Sequence, residues 1–208
     1  MHHFAHFLRF CAQKAGFMKK NIAILASGSG TNAENILRYF QVKKSASVAL
    51  VLTNRRDAFV LERARGLGVP YCFFPKDEWG HGGAILSVLE EHGVDFVVLA
   101  GFLARVPEAI LHVYPGRIIN IHPSLLPKFG GKGMYGNRVH EAVLAAGEVE
   151  SGITIHYINE HYDEGDVIRQ VRCLVLPEDT PEELACRIHA LEYEVYPEVI
   201  EQLLSEIG

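Results

Sequence analysis

The sequence NIAILASGSGTN at residues 21–32 decides the fold, because it joins an apolar run directly to a glycine-rich turn. Residues 21–26 have the length and side chains of a buried β-strand, and a helical pattern begins at Ala33. A strand, a tight turn and a helix in this order form the first half of a βαβ unit. We therefore expect a parallel sheet with helices packed on it.

The same order of elements continues along most of the chain. Residues 94–102, VDFVVLAGF, are apolar enough to form a strand that is buried on both faces, as in a parallel sheet. Two later runs, residues 152–157 and 167–174, alternate apolar and polar side chains and lie close enough to form an antiparallel pair. We predict a Rossmann-like α/β fold: a mostly parallel central sheet, an antiparallel C-terminal strand pair, and helices on both faces. Before that pair, strands are expected at residues 21–26, 47–52, 71–74, 94–101 and about 117–122. The expected helices are at about residues 33–40, 58–66, 84–91, 107–113, 138–146 and 180–204.

The turn at residues 27–32 is a candidate anion site. The spacing G-x-G-x-x-A at residues 28–33 matches a permissive form of the dinucleotide fingerprint. In that motif the glycines let the backbone approach a phosphate, and the helix N-terminus stabilises its charge. Ser29, Thr31 and Asn32 add side-chain donors suited to a terminal phosphate monoester. A plain strand-to-helix turn is the alternative interpretation.

The residues after the second predicted strand argue against NAD. A dinucleotide site needs an acidic residue there to bind the ribose. Residues 47–52 are followed instead by Thr53, Asn54, Arg55 and Arg56. Either arginine could still bind a 2′-phosphate, so NADP stays open at this point.

Polar side chains occupy the end of the fifth predicted strand, within RIINIHPSLLP at residues 117–127. Asn120 and His122 alternate with isoleucines, so the amide and the imidazole lie on the same strand face. Two prolines restrict the backbone beyond His122. Ligands bind at the carboxyl ends of strands in parallel sheets. This strand end is therefore a candidate site, with a half-exposed polar strand face as the alternative.

Two loops follow this candidate site. GGKGMYG at residues 130–136 comes directly after it, and is either a lid or a solvent-exposed loop. NEHYDEGD at residues 159–166 is acidic, and its composition alone is typical of a solvated turn.

Composition limits the classes of function. With 208 residues, of which 49% are hydrophobic, the chain can form one large core or at most two small ones. Its formal net charge of −5 provides no general basic surface, so nucleic acid is not an expected partner. The four cysteines are widely spaced without a Cys-x-x-Cys pair, which predicts no zinc or redox site and fits a reducing cytoplasm. No apolar run is long enough to cross a membrane.

Residues 1–17 are interpreted as an N-terminal extension. Histidines and an arginine interrupt their apolar residues, and no cleavage site follows a continuous hydrophobic centre, so they do not form a signal peptide. The sequence Met-Lys-Lys at residues 18–20 directly precedes the first strand. We expect residues 1–17 to be disordered and residues 18–208 to form a single domain.

The chain resembles the folate-dependent formyltransferases, and within them the purine-pathway members that formylate phosphoribosylglycinamide. The similarity covers Met18 to the C-terminus, and NIHPSLLP is its most specific part. The phosphate turn at the first strand is typical of the purine-pathway members. The motifs that carry the resemblance are SGSGTN at residues 27–32, LAGF at 99–102, NIHPSLLP at 120–127 and Asp-Glu-Gly at 163–165.

This resemblance implies transfer of a formyl group from 10-formyltetrahydrofolate to the glycyl amine of phosphoribosylglycinamide. The products would be formylglycinamide ribonucleotide and tetrahydrofolate. The folate is a co-substrate, and neither a bound cofactor nor a metal ion is implied. We expect small molecules as the only partners, without nucleic acid or membrane, and a cytoplasmic monomer or weak homodimer.

The resemblance also implies the site residues. Asn120, His122 and Asp163 are the expected catalytic residues, because the reaction needs donors for an oxyanion and a group that manages a proton. The carboxylate of Asp163 would favour the imidazolium form of His122 and so raise its pKa. The remaining assignments are Gly30, Thr31 and Asn32 to the substrate phosphate, Glu192 to the substrate, and Leu103, Ala104, Arg105 and Val106, together with Asn120, to the folate.

The chain departs from the family pattern in four places. An arginine that helps hold ligand in some members has no clear counterpart at residues 76–81, and the loop at residues 130–136 differs from that of shorter relatives. Ala104 stands where an arginine is frequent, and Arg105 follows it. Asp166 stands where a proline is common after Asp-x-Gly.

Two other functions are open at this stage. Another 10-formyltetrahydrofolate-dependent formyltransferase, acting on methionyl-tRNA or a nucleotide sugar, would share His122 and Asp163 but would normally carry a further C-terminal domain. A non-catalytic nucleotide-binding module would use the glycine turn alone. An assay for formylated product separates these possibilities.

Overall fold

The structure, a computed structural model, describes residues 19–207, so the predicted disorder of residues 1–17 lies outside the described residues. The strands are β1 (Lys20–Leu25), β2 (Ala46–Thr53), β3 (Tyr71–Phe73), β4 (Phe96–Leu99), β5 (Ile118–His122), β6 (Glu150–Tyr157) and β7 (Val167–Leu174). The helices are α1 (Thr31–Lys43), α2 (Val60–Gly66), α3 (Glu78–His81), α4 (Gly83–Glu91), α5 (Glu108–Val113), α6 (Asn137–Ala145) and α7 (Pro181–Glu206).

The strands form one sheet in the order β3-β2-β1-β4-β5-β6-β7. All pairings from β3 across to β5 are parallel. Strand β6 runs antiparallel to both β5 and β7. The prediction of a mostly parallel sheet with an antiparallel C-terminal strand pair is therefore confirmed.

Two hydrophobic cores lie on opposite faces of this sheet. Ile22 and Ile24 of β1 belong to the core that includes buried residues of α1 and α7, whereas Ala23 and Leu25 belong to the core formed with α4 and α5. Successive side chains of a strand point to opposite faces. Both faces of β1 are therefore covered by helices, as predicted for a buried parallel strand.

Several element boundaries differ from the predicted ones. Helix α1 runs to Lys43 rather than to about residue 40, and Lys44 ends it in the left-handed region at φ 58°. Glycine usually takes this position, so the sequence lacks the usual end signal. Helix α3 was not predicted. Its buried Trp79 donates a hydrogen bond from Nε1 to the carbonyl of Phe74 at 2.9 Å, which holds this short turn against the sheet.

The carboxyl ends of three strands meet at one edge of the sheet. Leu25 of β1 is opposite Leu99 of β4, and Leu99 is opposite Asn120 of β5. The direction of strand order reverses between β1 and β4, which is where ligands bind in open α/β sheets. The hydroxyl of Tyr196 in α7 donates to the carbonyl of Leu99 at 2.9 Å and lies 3.3 Å from that of Ile119. Helix α7 is thereby attached to the same edge.

Candidate active site

His122 and Asp163 form the centre of the site. His122 is the last residue of β5 and is only 4% exposed. Its Nδ1 lies 3.6 Å from Oδ2 of Asp163, and its Nε2 lies 2.8 Å from the carbonyl oxygen of Phe129. Because a carbonyl oxygen can only accept, Nε2 carries a hydrogen, and a second proton would bind at Nδ1, facing Asp163. The predicted pair of residues is therefore brought together.

The loop at residues 159–166 holds Asp163 in this position. Asp163 has φ 57°, and its Oδ2 accepts a hydrogen bond from the backbone N–H of Gly131 at 2.8 Å. A Cβ atom at Gly165 would lie 1.8 Å from the carbonyl oxygen of Tyr157, so only glycine lets the loop close against β6. Composition alone indicated a solvated turn, but this loop carries a carboxylate into the site.

The glycine-rich loop also takes part in the site. The carbonyl of Phe129, directly before the loop, accepts a hydrogen bond from His122, and the N–H of Gly131 donates one to Asp163. Both members of the pair are thus bonded to one short segment of backbone. The sequence left this loop open between a lid and a solvent-exposed loop, and these contacts place its beginning against His122 and Asp163.

His156 is a site residue that the sequence analysis missed. It is fully buried on β6, directly opposite Asn120 in the strand register. Its Nδ1 donates to the carbonyl of Tyr157 at 2.9 Å, so its Nε2 can accept from Nδ2 of Asn120 at 3.2 Å. The same Nε2 lies 3.6 Å from Oδ1 of Asp163. His156 thus connects Asn120 to Asp163. Only the antiparallel register of β5 and β6, which was not predicted, could have indicated it.

Burial dominates the pKa of His122. The pKa is lowered from its ordinary value because burial disfavours the imidazolium, and the Asp163 carboxylate acts in the opposite direction. The predicted direction of the Asp163 effect is thus found, and burial, which the sequence did not show, outweighs it. For Asp163, burial raises the pKa, while the contacts with His156, His122 and Gly131 lower it and prevail. Asp163 is therefore a carboxylate at neutral pH.

The turn before α1 has the shape expected of an anion site. Gly30 has φ 71°, and a Cβ atom there would lie 2.4 Å from Cγ2 of Val60. Helix α1 begins at Thr31, and no side chain caps its first turn. The first N–H groups of a helix have no partner within the helix. These groups are therefore available to an anion at the edge where β1 and β4 meet.

Glu192 and Asn32 are brought together although 160 residues separate them in sequence. Both are buried, and Nδ2 of Asn32 lies 3.5 Å from Oε2 of Glu192. Oε2 of Glu192 also lies 2.9 Å from Nδ1 of His189, a residue that the sequence analysis did not single out. This hydrogen bond raises the pKa of His189. Oδ1 of Asn32 is buried without a hydrogen-bond partner among the described residues.

The predicted folate segment runs past the same turn. The backbone N–H of Leu103 donates to Oγ of Ser27 at 2.8 Å, and Ser27 in turn donates to Oδ1 of Asn54 at 2.6 Å. Leu103 is 45% exposed and Arg105 is also exposed, with its Nη2 3.8 Å from Oε1 of Glu108. Ala104 is partly buried and packs against the second core.

Val106 is buried in that same core. Its side chain is therefore unavailable to a ligand, and only its backbone could contribute.

Three structural features bear on other functions. Within residues 19–207, no group of three or more His, Cys, Asp or Glu side chains is arranged to bind a metal ion. No helix in that part of the chain is long and apolar enough to cross a membrane. The arginines considered for a 2′-phosphate have partners on the protein, because Arg55 pairs with Asp57 and Arg56 lies over the ring of Phe73.

Comparison with known proteins identifies the family. Residues 20–200 match the family model described as formyl transferase. The chain belongs to the formyl transferase family. Its relatives include the phosphoribosylglycinamide formyltransferase of Bacillus subtilis, which is 39% identical over 191 residues, covering 89% of this chain and 95% of the relative.

A plant relative and a solved structure are also similar to this chain. The chloroplastic phosphoribosylglycinamide formyltransferase of Arabidopsis thaliana is 42% identical over 194 residues, covering 90% of this chain and 66% of the relative. The chain thus spans just under two thirds of that plant relative. The crystal structure of phosphoribosylglycinamide formyltransferase from Streptococcus pneumoniae superimposes with a TM-score of 0.79 at 41% identity, covering 90% of this chain and 99% of the other.

Proposed function

We propose that the protein transfers a formyl group from 10-formyltetrahydrofolate to the glycyl amine of phosphoribosylglycinamide in purine biosynthesis. The products are formylglycinamide ribonucleotide and tetrahydrofolate. The observation that carries this proposal is the His122–Asp163 pair at the end of β5, on the same sheet edge as the uncapped turn before α1. The names of the relatives from B. subtilis and A. thaliana support the same activity.

The chemistry assigns separate tasks to Asn120 and His122. Attack of the amine on the formyl carbon builds an oxyanion, which needs a donor aimed at it. The amide of Asn120 has two N–H groups, of which one can donate to His156, so the other is available to the oxyanion. The amine loses a proton as it becomes an amide, and His122 passes a proton to the leaving folate nitrogen, so the transfer needs no net proton. Asp163 stabilises the imidazolium that this transfer needs.

Different groups of the protein bind the phosphate and the rest of the substrate. The backbone N–H groups of Gly30, Thr31 and Asn32 bind the phosphate at the N-terminus of α1. The side chain of Asn32 lies against Glu192. We therefore assign its buried Oδ1 and the Glu192 carboxylate to donors on the ribosylglycinamide part of the substrate.

The folate lies along residues 103–106, beside Asn120. Leu103, Ala104 and Arg105 contribute side chains or backbone, and Val106 contributes backbone alone because its side chain is in the core. This placement brings the formyl group of the folate to the end of β5.

The test is a formyl-transfer assay with the purified full-length chain, 10-formyltetrahydrofolate and phosphoribosylglycinamide. Mass spectrometry should detect formylglycinamide ribonucleotide, and tetrahydrofolate should appear in equal amount. Methionyl-tRNA and a nucleotide amino sugar serve as alternative acceptors, and NADP binding is measured by calorimetry. Formylation of another acceptor only, or NADP binding without formyl transfer, would contradict the proposal.

Three broader predictions remain proposals. We infer that residues 18–208 form one domain, that the protein is a monomer or a weak homodimer, and that it acts in the cytoplasm. Limited proteolysis, sedimentation and cell fractionation test them in turn. Fractionation matters because the plant relatives are chloroplastic proteins by name.

A further inference from the structure

Arg63 of α2 reaches across to the turn that precedes α1. Its Nε donates a hydrogen bond to the carbonyl oxygen of Ser29 at 2.7 Å. The other end of the guanidinium, Nη1, pairs with Glu34 in the first turn of α1. The guanidinium also lies over the ring of Phe59, 5.0 Å from its centroid, and the side chain is 25% exposed. Arg63 is thus held on three sides next to the turn.

Two neighbouring carbonyl groups of the turn are bonded to α2. The N–H of Val60 donates to the carbonyl of Gly28 at 3.2 Å, and Arg63 donates to that of Ser29. In a trans peptide the C=O and the following N–H point in opposite directions. The N–H groups of Ser29 and Gly30 therefore point away from α2. Arg63 thus controls the direction of the Gly30 N–H.

Arg63 also supplies charge where the turn has none. Residues 27–32 contain no lysine or arginine. Glu34 pairs with both Arg63 and Arg38, so two positive groups and one negative group leave a net charge of +1. Arg38 is 63% exposed and points to solvent one turn further along α1. The cation in contact with the turn is Arg63.

We propose that Arg63 is a positioning residue for the phosphate-binding turn: it holds the Ser29 carbonyl so that the Gly30 N–H faces the phosphate of the substrate, and it balances the phosphate charge. This inference rests on the proposed function, because it names a further residue of the same substrate site. It does not make Arg63 a catalytic residue, since Arg63 acts on substrate through the turn.

The test compares Arg63→Met, Arg63→Lys and the matched control Arg38→Met. Arg38→Met makes the same change in net charge one turn away from the carbonyl of Ser29, so it should lower the affinity far less than Arg63→Met does. Loss of a charge-assisted hydrogen bond should raise KM and Kd for phosphoribosylglycinamide roughly tenfold to a hundredfold in Arg63→Met. Arg63→Lys keeps the charge but not the planar fork, so its affinity should lie between the two. The kcat and the Kd of the folate should change little.

General destabilisation of the protein would not change how strongly it prefers a substrate that carries the phosphate. The ratio of kcat/KM for phosphoribosylglycinamide to that for ribosylglycinamide, which lacks the phosphate, should fall in both Arg63 variants. Inhibition by inorganic phosphate should weaken in parallel. If both Arg63 variants keep the wild-type ratio and the wild-type phosphate inhibition, the inference is overturned while the proposed function stands. If the wild-type protein forms no formylated product, the proposed function itself fails.

Discussion

Two opposing effects act on the pKa of His122, and their balance is set by its immediate neighbours. Burial in the end of β5 lowers the pKa, and the carboxylate of Asp163 raises it. A general acid works best when its pKa is near the working pH. Asp163 thus determines how much of the acid form of His122 exists near neutral pH, and the backbone N–H of Gly131 keeps that carboxylate in place.

Removal of the imidazole tests the acid role directly. His122→Ala should lower kcat by roughly two to four powers of ten, because a positioned general acid contributes about that much. KM for both substrates should change little, since the loss falls on the transition state. Steady-state kinetics measures both, with His112→Ala, an exposed histidine on α5, as the control. A variant with nearly full kcat would remove His122 from the mechanism.

Removal of the Asp163 charge tests the balance of the two effects. Asp163→Asn removes the carboxylate that raises the pKa of His122. The burial that lowers this pKa remains, so the pKa should fall further. Each unit corresponds to roughly 1.4 kcal/mol of lost interaction with the imidazolium. NMR titration of the His122 ring measures the change, and Glu164→Gln, an exposed neighbouring carboxylate, is the control. An unchanged pKa would limit Asp163 to positioning a water molecule.

At the level of elements, the site depends on how loops and helices attach to the sheet. The loop carrying Asp163 closes on β6 through Gly165, and α7 attaches to the ends of β4 and β5 through Tyr196. Neither contact involves a residue that would bind substrate. Both nevertheless decide where the residues that we propose to bind substrate lie.

A methyl group at Gly165 should displace the Asp163 loop. The Cβ of Gly165→Ala would meet backbone of β6, which cannot move without disturbing the strand pair. A displacement of about 1 Å at a catalytic group can cost roughly a hundredfold in rate. We expect kcat to fall by at least tenfold while circular dichroism shows an unchanged content of helix and strand. Gly80→Ala, where a Cβ has open space, should have wild-type activity. Equal kinetics in the two variants would contradict this account.

Tyr196→Phe should weaken the attachment of α7 to the sheet. The carbonyls of Leu99 and Ile119 would lose a buried donor, and a buried polar group without a partner costs roughly 1 to 3 kcal/mol. Urea unfolding should show a loss of that size in the free energy of unfolding. Tyr193→Phe, on a more exposed part of α7, should change it by less than about 0.5 kcal/mol. If the two variants are equally stable, the hydroxyl of Tyr196 does not stabilise the fold.

On the scale of the whole molecule, His140 makes the stability of the fold depend on pH. It is 1% exposed in α6, and its Nδ1 has no hydrogen-bond partner among the described residues. Burial, with smaller effects of His189 and His122, lowers its pKa from 6.5 to about 4. The unfolded chain therefore binds a proton at His140 between pH 6.5 and 4 that the folded chain does not. The contribution of His140 to the free energy of unfolding is fully present above that range, and it is lost as the pH falls through the range.

The effect of His140 on stability can be measured by comparison with a variant whose residue 140 does not titrate. The shift corresponds to at most roughly 3 kcal/mol between neutral pH and pH 4. Wild-type protein should lose more free energy of unfolding over that range than His140→Gln, by up to about this amount. Urea unfolding at several pH values gives both curves. Parallel curves would show that His140 does not contribute to acid sensitivity.

The sequence by itself determined the features that depend on neighbouring residues. Alternation along residues 152–157 and 167–174 correctly predicted the antiparallel pair, because side-chain direction in a strand has a period of two. The glycine turn at residues 27–32 predicted a helix directly after the first strand, and α1 does begin at Thr31. The motif at residues 120–127 indicated His122 as the candidate catalytic histidine. The family, and with it the fold, followed from such local motifs.

Only the tertiary structure decided which distant groups meet. The contact of His156 with Asn120 requires the register of β5 on β6, and the contact of Asn32 with Glu192 joins residues 160 positions apart. No local pattern specifies such a register, because it results from packing the whole sheet and its helices. The net fall in the His122 pKa has the same origin. Its neighbour Asp163 could be named from the sequence, but the desolvation that outweighs this carboxylate exists only once β5 and its surrounding loops are packed.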